Sequence, residues 1–258
     1  MLSSTSFKNT MARSCNAVIA LCSALAVSAT LMTATHAASP QSRIKPPPSA
    51  DLLYSITAKQ SGLTVKGDAT LHWSVSGNRY VTSAETNAMM FGRILDTRSE
   101  GVIEPSRLAP TRYAEKRYRK RESSITFDRS GNTATYSESQ QTYALRGGEQ
   151  DRASVIWQLI SVARAAPGKF KPDSEWTFAV AGRRDIDPWT FKVVRMETVQ
   201  TALGSVQAVH IQKLPSSAHR DQEVDLWLAP SLEWYPVQLR MSERDGAQIE
   251  QKLQKITH

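Results

Sequence analysis

Leu71-His72-Trp73-Ser74-Val75-Ser76-Gly77-Asn78 decides how this chain is read. Leu71, Trp73 and Val75 alternate with His72 and Ser74, the period of two that puts apolar side chains on one face of a half-buried strand. Ser76-Gly77-Asn78 follows with residues that tolerate positive φ, so the strand reverses into a hairpin. The motif recurs downstream. Ile125 and Phe127 alternate with Thr126 and Asp128 before Ser130-Gly131-Asn132, and Leu203-Gly204 and Asp245-Gly246 supply two further turns. The pattern predicts antiparallel strands near 51–60, 63–75, 79–90, 93–103, 111–119, 122–128, 133–138, 175–182, 189–200, 205–214, 221–229, 235–243 and 247–256, with no internal repeat.

One segment breaks the rhythm. Val155, Ile156, Leu159, Val162 and Ala163 fall at helical spacing, with Asp151 placed to cap the start and Pro167-Gly168 to stop the end. A lone helix among hairpins must lay its apolar stripe on a sheet, and the open face of a curved sheet is the available partner. The expected fold is therefore mainly β: a strongly curved antiparallel sheet or incomplete β-barrel, plugged or flanked by one helix near 151–166.

The N-terminus reads as a secretory signal peptide over residues 1–37. Lys8 and Arg13 form a basic start, Cys15 to Met32 an apolar run, and Thr35-His36-Ala37 a small-residue cleavage site. An uncleaved membrane anchor is the alternative, but Ser14, Asn16, Ser23, Ser28, Thr30 and Thr33 dilute the run. Lipidation does not fit, because Leu21 rather than a small residue precedes Cys22. Both cysteines would leave with the leader, so the exported chain contains no thiol and is expected in the periplasm. Loss of Lys8 and Arg13 leaves 30 basic residues against 24 acidic ones, a formal +6. That surplus suits anionic envelope material, although it also simply favours solubility. Residues 38–50, with four prolines, read as an extended linker, and 51–258 as a single antiparallel β domain. The Ser42-to-Lys45 spacing matches Ser-x-x-Lys, but the prolines forbid the helix that such a catalytic pair needs.

Chemistry is sparse. The exported chain lacks Cys-x-x-Cys, His-Glu-x-x-His, Gly-x-Ser-x-Gly and phosphate-binding glycine motifs, so no catalytic residue and no cofactor is expected. His72, His210 and His219 remain as bases for a hydrolase, the least favoured class. Asp221, Glu223 and Asp225 alternate along one strand, where carboxylates stand roughly 7 Å apart and cannot wrap a cation, so no metal site is expected. Arg112, Lys116, Arg117, Arg119, Lys120 and Arg121 form the most basic stretch and are the candidate contacts to an anionic surface; strand parity divides them between two faces. Trp73, Trp157, Trp176, Trp189, Trp227 and Trp234, with Met89-Met90-Phe91, supply material for an apolar interior. If that interior is hollow, Trp73, Met89, Phe91 and Trp157 are its expected lining.

These residues carry a resemblance. The helix opening Asp151-Arg152-Ala153-Ser154 with Leu159, the strand of Leu203-Gly204 with Val206, Ala208, Ile211 and Lys213, then Val224-Asp225-Leu226-Trp227-Leu228-Ala229-Pro230 and Tyr235-Pro236-Val237 resemble the bacterial family called domain of unknown function 3108. The resemblance implies an exported all-β envelope protein and brings no catalytic residue with it. In outline only, a curved sheet with one helix is also similar to the half-barrel of periplasmic lipoprotein carriers. The expectation is a non-enzymatic binding or carrier protein for a hydrophobic or amphipathic ligand such as a lipid. The alternative is a docking protein that meets an envelope protein or anionic polymer through its sheet edges or basic hairpin. Nucleic acid is not an expected partner, and the oligomeric state stays open.

Overall fold

The computed structural model describes residues 43–139, 141–182, 185–215, 222–243 and 246–258. The leader expected over 1–37 lies outside these, as do Ser42, His219 and Asp221. The chain forms β1 (Ala50–Gln60), β2 (Leu63–Ser76), β3 (Arg79–Ala88), β4 (Gly92–Glu104), β5 (Arg107–Arg117), β6 (Ser123–Asp128), β7 (Thr133–Tyr136), β8 (Thr142–Ala144) and β9 (Gln150–Asp151). Helix α1 (Ser154–Ala165) follows, and then β10 (Glu175–Ala181), β11 (Ile186–Thr201), β12 (Gly204–Lys213), β13 (Gln222–Leu228), β14 (Pro236–Glu243) and β15 (Gln248–Thr257).

All fifteen strands belong to one sheet, in the order β8-β7-β6-β5-β4-β3-β2-β1-β15-β14-β13-β12-β11-β10-β9. It is two meanders zipped together where β1 pairs with β15, Leu52 opposite Ile256 and Ile56 opposite Gln251. Among the described residues every strand pairing is antiparallel except the two-residue ladder of β9 with β10. The sheet curls without closing. Its last strands instead overlap its first: Ala181 packs with Tyr113, Ile125, Phe127, Ala134 and Tyr136 in a small second core. The four turns expected from glycine and asparagine each contain a positive φ, at Gly77, Asn132, Gly204 and Gly246.

Helix α1 lies in the concavity. The N-cap position is Ala153 rather than Asp151, but Asp151 still caps the start from two residues earlier, its Oδ1 accepting from the amides of Ala153 and Ser154 at 2.8 Å each. Burial pushes the Asp151 carboxyl above the usual range, and its other oxygen accepts from the Ser99 hydroxyl at 2.5 Å. The helix is not one-sided. Val155, Leu159 and Ala163 are fully buried, as expected for a stripe, but Trp157, Gln158, Ile160 and Ser161 are buried too, whereas Ile156 and Val162 are only partly covered. An enclosed helix needs polar partners on its buried sides. β5 between Arg107 and Thr111 has no β6 neighbour, because their pairing begins at Arg112. Side chains from the helix region serve that bare edge: Leu108 N donates to Gln158 Oε1 at 2.6 Å, and Gln150 Nε2 donates to Leu108 O at 2.7 Å.

One end of the concavity is filled by aromatics. Trp157 stacks on Trp73 with ring centres 4.3 Å apart, Trp73 stacks on Tyr80 at 5.5 Å, and Tyr235 meets Trp157 edge-on at 6.3 Å. Over this plug runs the segment read as a linker. Residues 43–49 are instead docked: Pro47 O accepts from Trp73 Nε1 at 3.1 Å, Pro48 O from the Tyr235 hydroxyl at 2.7 Å, and Lys45 N donates to Ser161 O at 2.9 Å. Proline removes backbone donors but leaves carbonyls, and the buried aromatic N–H and O–H groups need those acceptors.

Strand ends differ from expectation in instructive places. β3 stops at Ala88 because Met89 to Phe91 turn the chain, and β5 runs from Arg107 to Arg117 instead of 111–119. The short β8 and β9 have no periodicity of their own to reveal them. Trp157→Ala is expected to cost about 3–5 kcal/mol by emptying the plug. Trp157→Phe should cost less, chiefly the 2.7 Å bond from Nε1 to the Thr82 hydroxyl, about 1 kcal/mol. Urea unfolding of both variants checks the order.

Candidate functional site

Below the plug the inward residues become small. Along β3 the inward positions are Thr82, Ala84, Thr86 and Ala88, and along β2 they include Gly67 and Ala69. Gly67 is required: a β-carbon there would sit 2.1 Å from the carbonyl oxygen of Asn87, where β3 and β4 shift register. Short side chains on a curled sheet cannot meet across it, so space is left. A cleft of about 200 Å³ lies against α1, floored by Trp157 and Ile156 and walled by Leu71, Ala84, Leu95 and Leu239. A second, of about 180 Å³, continues between Ile56, Val65, Ile94, Met241 and Ile249. Thr86, Leu95 and Gln251 border both. Together they fall within the lower part of the ~300–1,000 Å³ usual for small-ligand pockets.

Charge is scarce along this cleft. Arg152 borders the part beside α1, with its Nη1 3.6 Å from Glu115 Oε2, and Lys66 borders the outer part. Burial would raise the Glu115 carboxyl, but the Tyr113 hydroxyl, Arg152 and Arg117 together hold it below the usual range. An apolar channel with a cation at its margin accommodates a hydrocarbon chain and one polar group. Among the described residues, no group of three His, Cys, Asp or Glu side chains is arranged to hold a metal ion.

The four expected lining residues separate. Trp157 does line the cleft, but Trp73 is fully buried in the plug above it, and Met89 and Phe91 stand exposed on the turn between β3 and β4. That turn is at the open rim, so their apolar character does not bring them inside. The residues missed were the small ones. Thr82, Ala84, Thr86 and Ala88 at strict alternation were the available signal, because a strand that faces a filled core carries larger side chains at those positions.

The basic stretch also divides, though not by strand parity. Arg117 pairs with Glu115 at 2.5 Å and Arg112 with Glu122 at 3.5 Å. Lys116, Arg119, Lys120 and Arg121 are exposed and have no carboxylate partner among the described residues. β5 ends at Arg117, so the last three belong to a turn, where Arg119 takes φ 53° and lies over the Tyr118 ring.

His72 and His210 hydrogen-bond to carboxylates. His72 Nδ1 meets Asp51, and His210 lies between Asp225, at 2.8 Å from Nε2, and Glu197, at 3.4 Å from Nδ1. His210 stacks on Trp227 at 4.5 Å, and Arg240 donates twice to Asp225 Oδ2, at 2.9 and 3.2 Å. Glu223 is exposed on the same strand. Burial would raise the Asp225 carboxyl, yet the bonds from His210 and Arg240 bring it below the ordinary range. A carboxyl depressed in the folded state stabilises above its unfolded value, about 4, and loses that contribution as pH falls through the folded value. Asp225→Asn should therefore be less stable by about 2 kcal/mol at neutral pH, and the gap should close below about pH 4, as read by urea unfolding across pH.

Comparison with known proteins bears on the fold. The structure of a beta-barrel-like protein of the domain of unknown function DUF1849 from Brucella abortus matches with a TM-score of 0.56 at 13% identity, covering 83% of this chain and 98% of that one. A protein from Bacteroides fragilis named as exported, with a YmcC-like fold, matches at a TM-score of 0.41 and 7% identity, over 84% and 100% of the two chains. An outer membrane lipoprotein-sorting protein domain from Vibrio parahaemolyticus reaches 0.29 at 8% identity, over 81% and 85%. No curated protein matches. The family model for DUF3108, protein of unknown function, matches residues 53–254, and with nearly the whole described sheet inside that match the chain belongs to the DUF3108 family.

Proposed function

We propose that this protein is an exported, periplasmic, non-enzymatic carrier that holds one amphipathic molecule of acyl-chain type. The single observation that carries the reading is the cleft: small and aliphatic side chains line it, an aromatic plug closes one end, and the opposite end opens at the rim. Burying hydrocarbon there releases about 25 cal/mol per Å² of apolar surface without any directional bond, so the occupant is selected by shape. Arg152 at the margin, facing Glu115 at 3.6 Å, offers its remaining donors to a polar headgroup and so favours an amphiphile over a plain hydrocarbon. The signal peptide read over residues 1–37 supports export.

The test begins with the full chain purified from the cell envelope. Organic extraction and mass spectrometry should find a co-purified amphiphile in near-stoichiometric amount. After delipidation, cis-parinaric acid should bind saturably and quench the emission of Trp157, whose ring forms the floor of the cleft. Ala84→Trp should weaken the probe at least tenfold by filling the space, and Ala84→Leu should weaken it less. Urea curves close to wild type would show that both variants fold. A ligand-free preparation that also gives no saturable quenching would end the proposal.

A further inference from the structure

We propose that the open rim of the curled sheet docks on a lipid bilayer that carries anionic headgroups. This goes beyond the cleft's contents and does not depend on them. Three hairpin turns stand side by side on that rim: 61–62 between β1 and β2, 89–91 between β3 and β4, and 118–122 between β5 and β6. Consecutive strands lie about 4.8 Å apart, so successive turns are about 10 Å apart. Two backbone bonds knit them together, Met89 N to Lys66 O at 2.9 Å and Tyr118 N to Ile94 O at 2.8 Å.

The middle turn is the opposite of an ordinary loop. Met89 is 79% exposed, Met90 80% and Phe91 57%, and neighbouring Leu63 is 73% exposed. Hairpin tips are normally built from Gly, Asn, Asp and Ser, which water solvates well. Four large apolar side chains at the tips, standing clear of both cores, add nothing to folding and gain only where something apolar receives them. Met side chains are flexible and adapt to a fluid surface.

Charge identifies that surface. On the adjoining turn Arg119, Lys120 and Arg121 are exposed cations without carboxylate partners among the described residues, and Lys116 is likewise unpaired. Closer to the strands, Arg93 pairs with Glu85 and Arg117 with Glu115. Apolar tips flanked by unpaired basic side chains match the boundary between acyl chains and anionic headgroups. The cleft opens on this same rim, between β3, β4 and the start of β15, so docking would bring its mouth to the membrane.

Sedimentation of the exported full chain with vesicles of phosphatidylcholine alone, or with 30% phosphatidylglycerol, tests this. Binding to the anionic vesicles is expected, at least tenfold above the neutral ones and reduced by salt. The triple variant Met89→Ser, Met90→Ser, Phe91→Ser and the double variant Lys120→Glu, Arg121→Glu should each lose at least tenfold in partition. The changed side chains are exposed, and circular dichroism checks the fold. In Phe91→Trp, brominated acyl chains should quench the emission added by the new indole. Ala84→Trp, with its cleft filled, should keep vesicle binding, which separates failure of docking from failure of the carrier reading. The proposal is overturned by absent binding, by equal partition into neutral vesicles, or by variants that bind like wild type. Self-association through the rim, seen by sedimentation velocity without vesicle binding, also overturns it.

Discussion

A sheet of fifteen strands has a concave face too large for its own side chains to cover, and the stacking of Trp157 on Trp73 is how this protein begins to cover it. Trp157 comes from the helix and Trp73 from β2, so the contact holds the helix inside the curl. Tyr235 and Tyr80 extend the contact to both meanders. Once these rings are buried, their N–H and O–H groups must find acceptors. That requirement explains why the Pro47 and Pro48 carbonyls are drawn over the top of the plug.

The same contact leaves the other end unfilled. A twelve-residue helix is about 18 Å long, and it cannot reach along strands of ten to fourteen residues. Below it the inward residues of β2 and β3 are small, and Gly67 has none of its own because the β3 backbone bends against it. Plug and cleft are two regions of one concave surface, set apart by side-chain size. Polar residues are spent on local accounting: Gln150 and Gln158 satisfy the bare edge of β5, and Asp151 caps the helix. The His210–Asp225–Arg240 cluster braces β12 to β14, away from the cleft lining.

Much of the architecture could be read in advance. Period-two alternation, turns bearing glycine or asparagine and one stretch of helical spacing predict a curved antiparallel sheet with a helix, and the chain forms that. Asp151 was legible as a cap because an acceptor before a helical run has only a few donors to meet. The lining was harder. Trp73, Met89, Phe91 and Trp157 share apolar character, but only Trp157 borders the cleft. Hydrophobicity says that a side chain prefers to leave water; it does not say where the chain will put it. Met89 and Phe91 fall on a turn, so geometry exposes what composition would bury.

Local pattern therefore determined the strands, the turns and the helix, because each depends on neighbours a few residues away. Tertiary structure alone decided that β1 pairs with β15, that residues 43–49 are clasped to the plug, and that the inward alanines and threonines face empty space. Those outcomes join residues as much as 206 positions apart, as with Asp51 and Thr257. No short-range period encodes such a distance; the curl of the whole sheet brings the partners together, and only then does the size of each inward side chain decide between core and cleft.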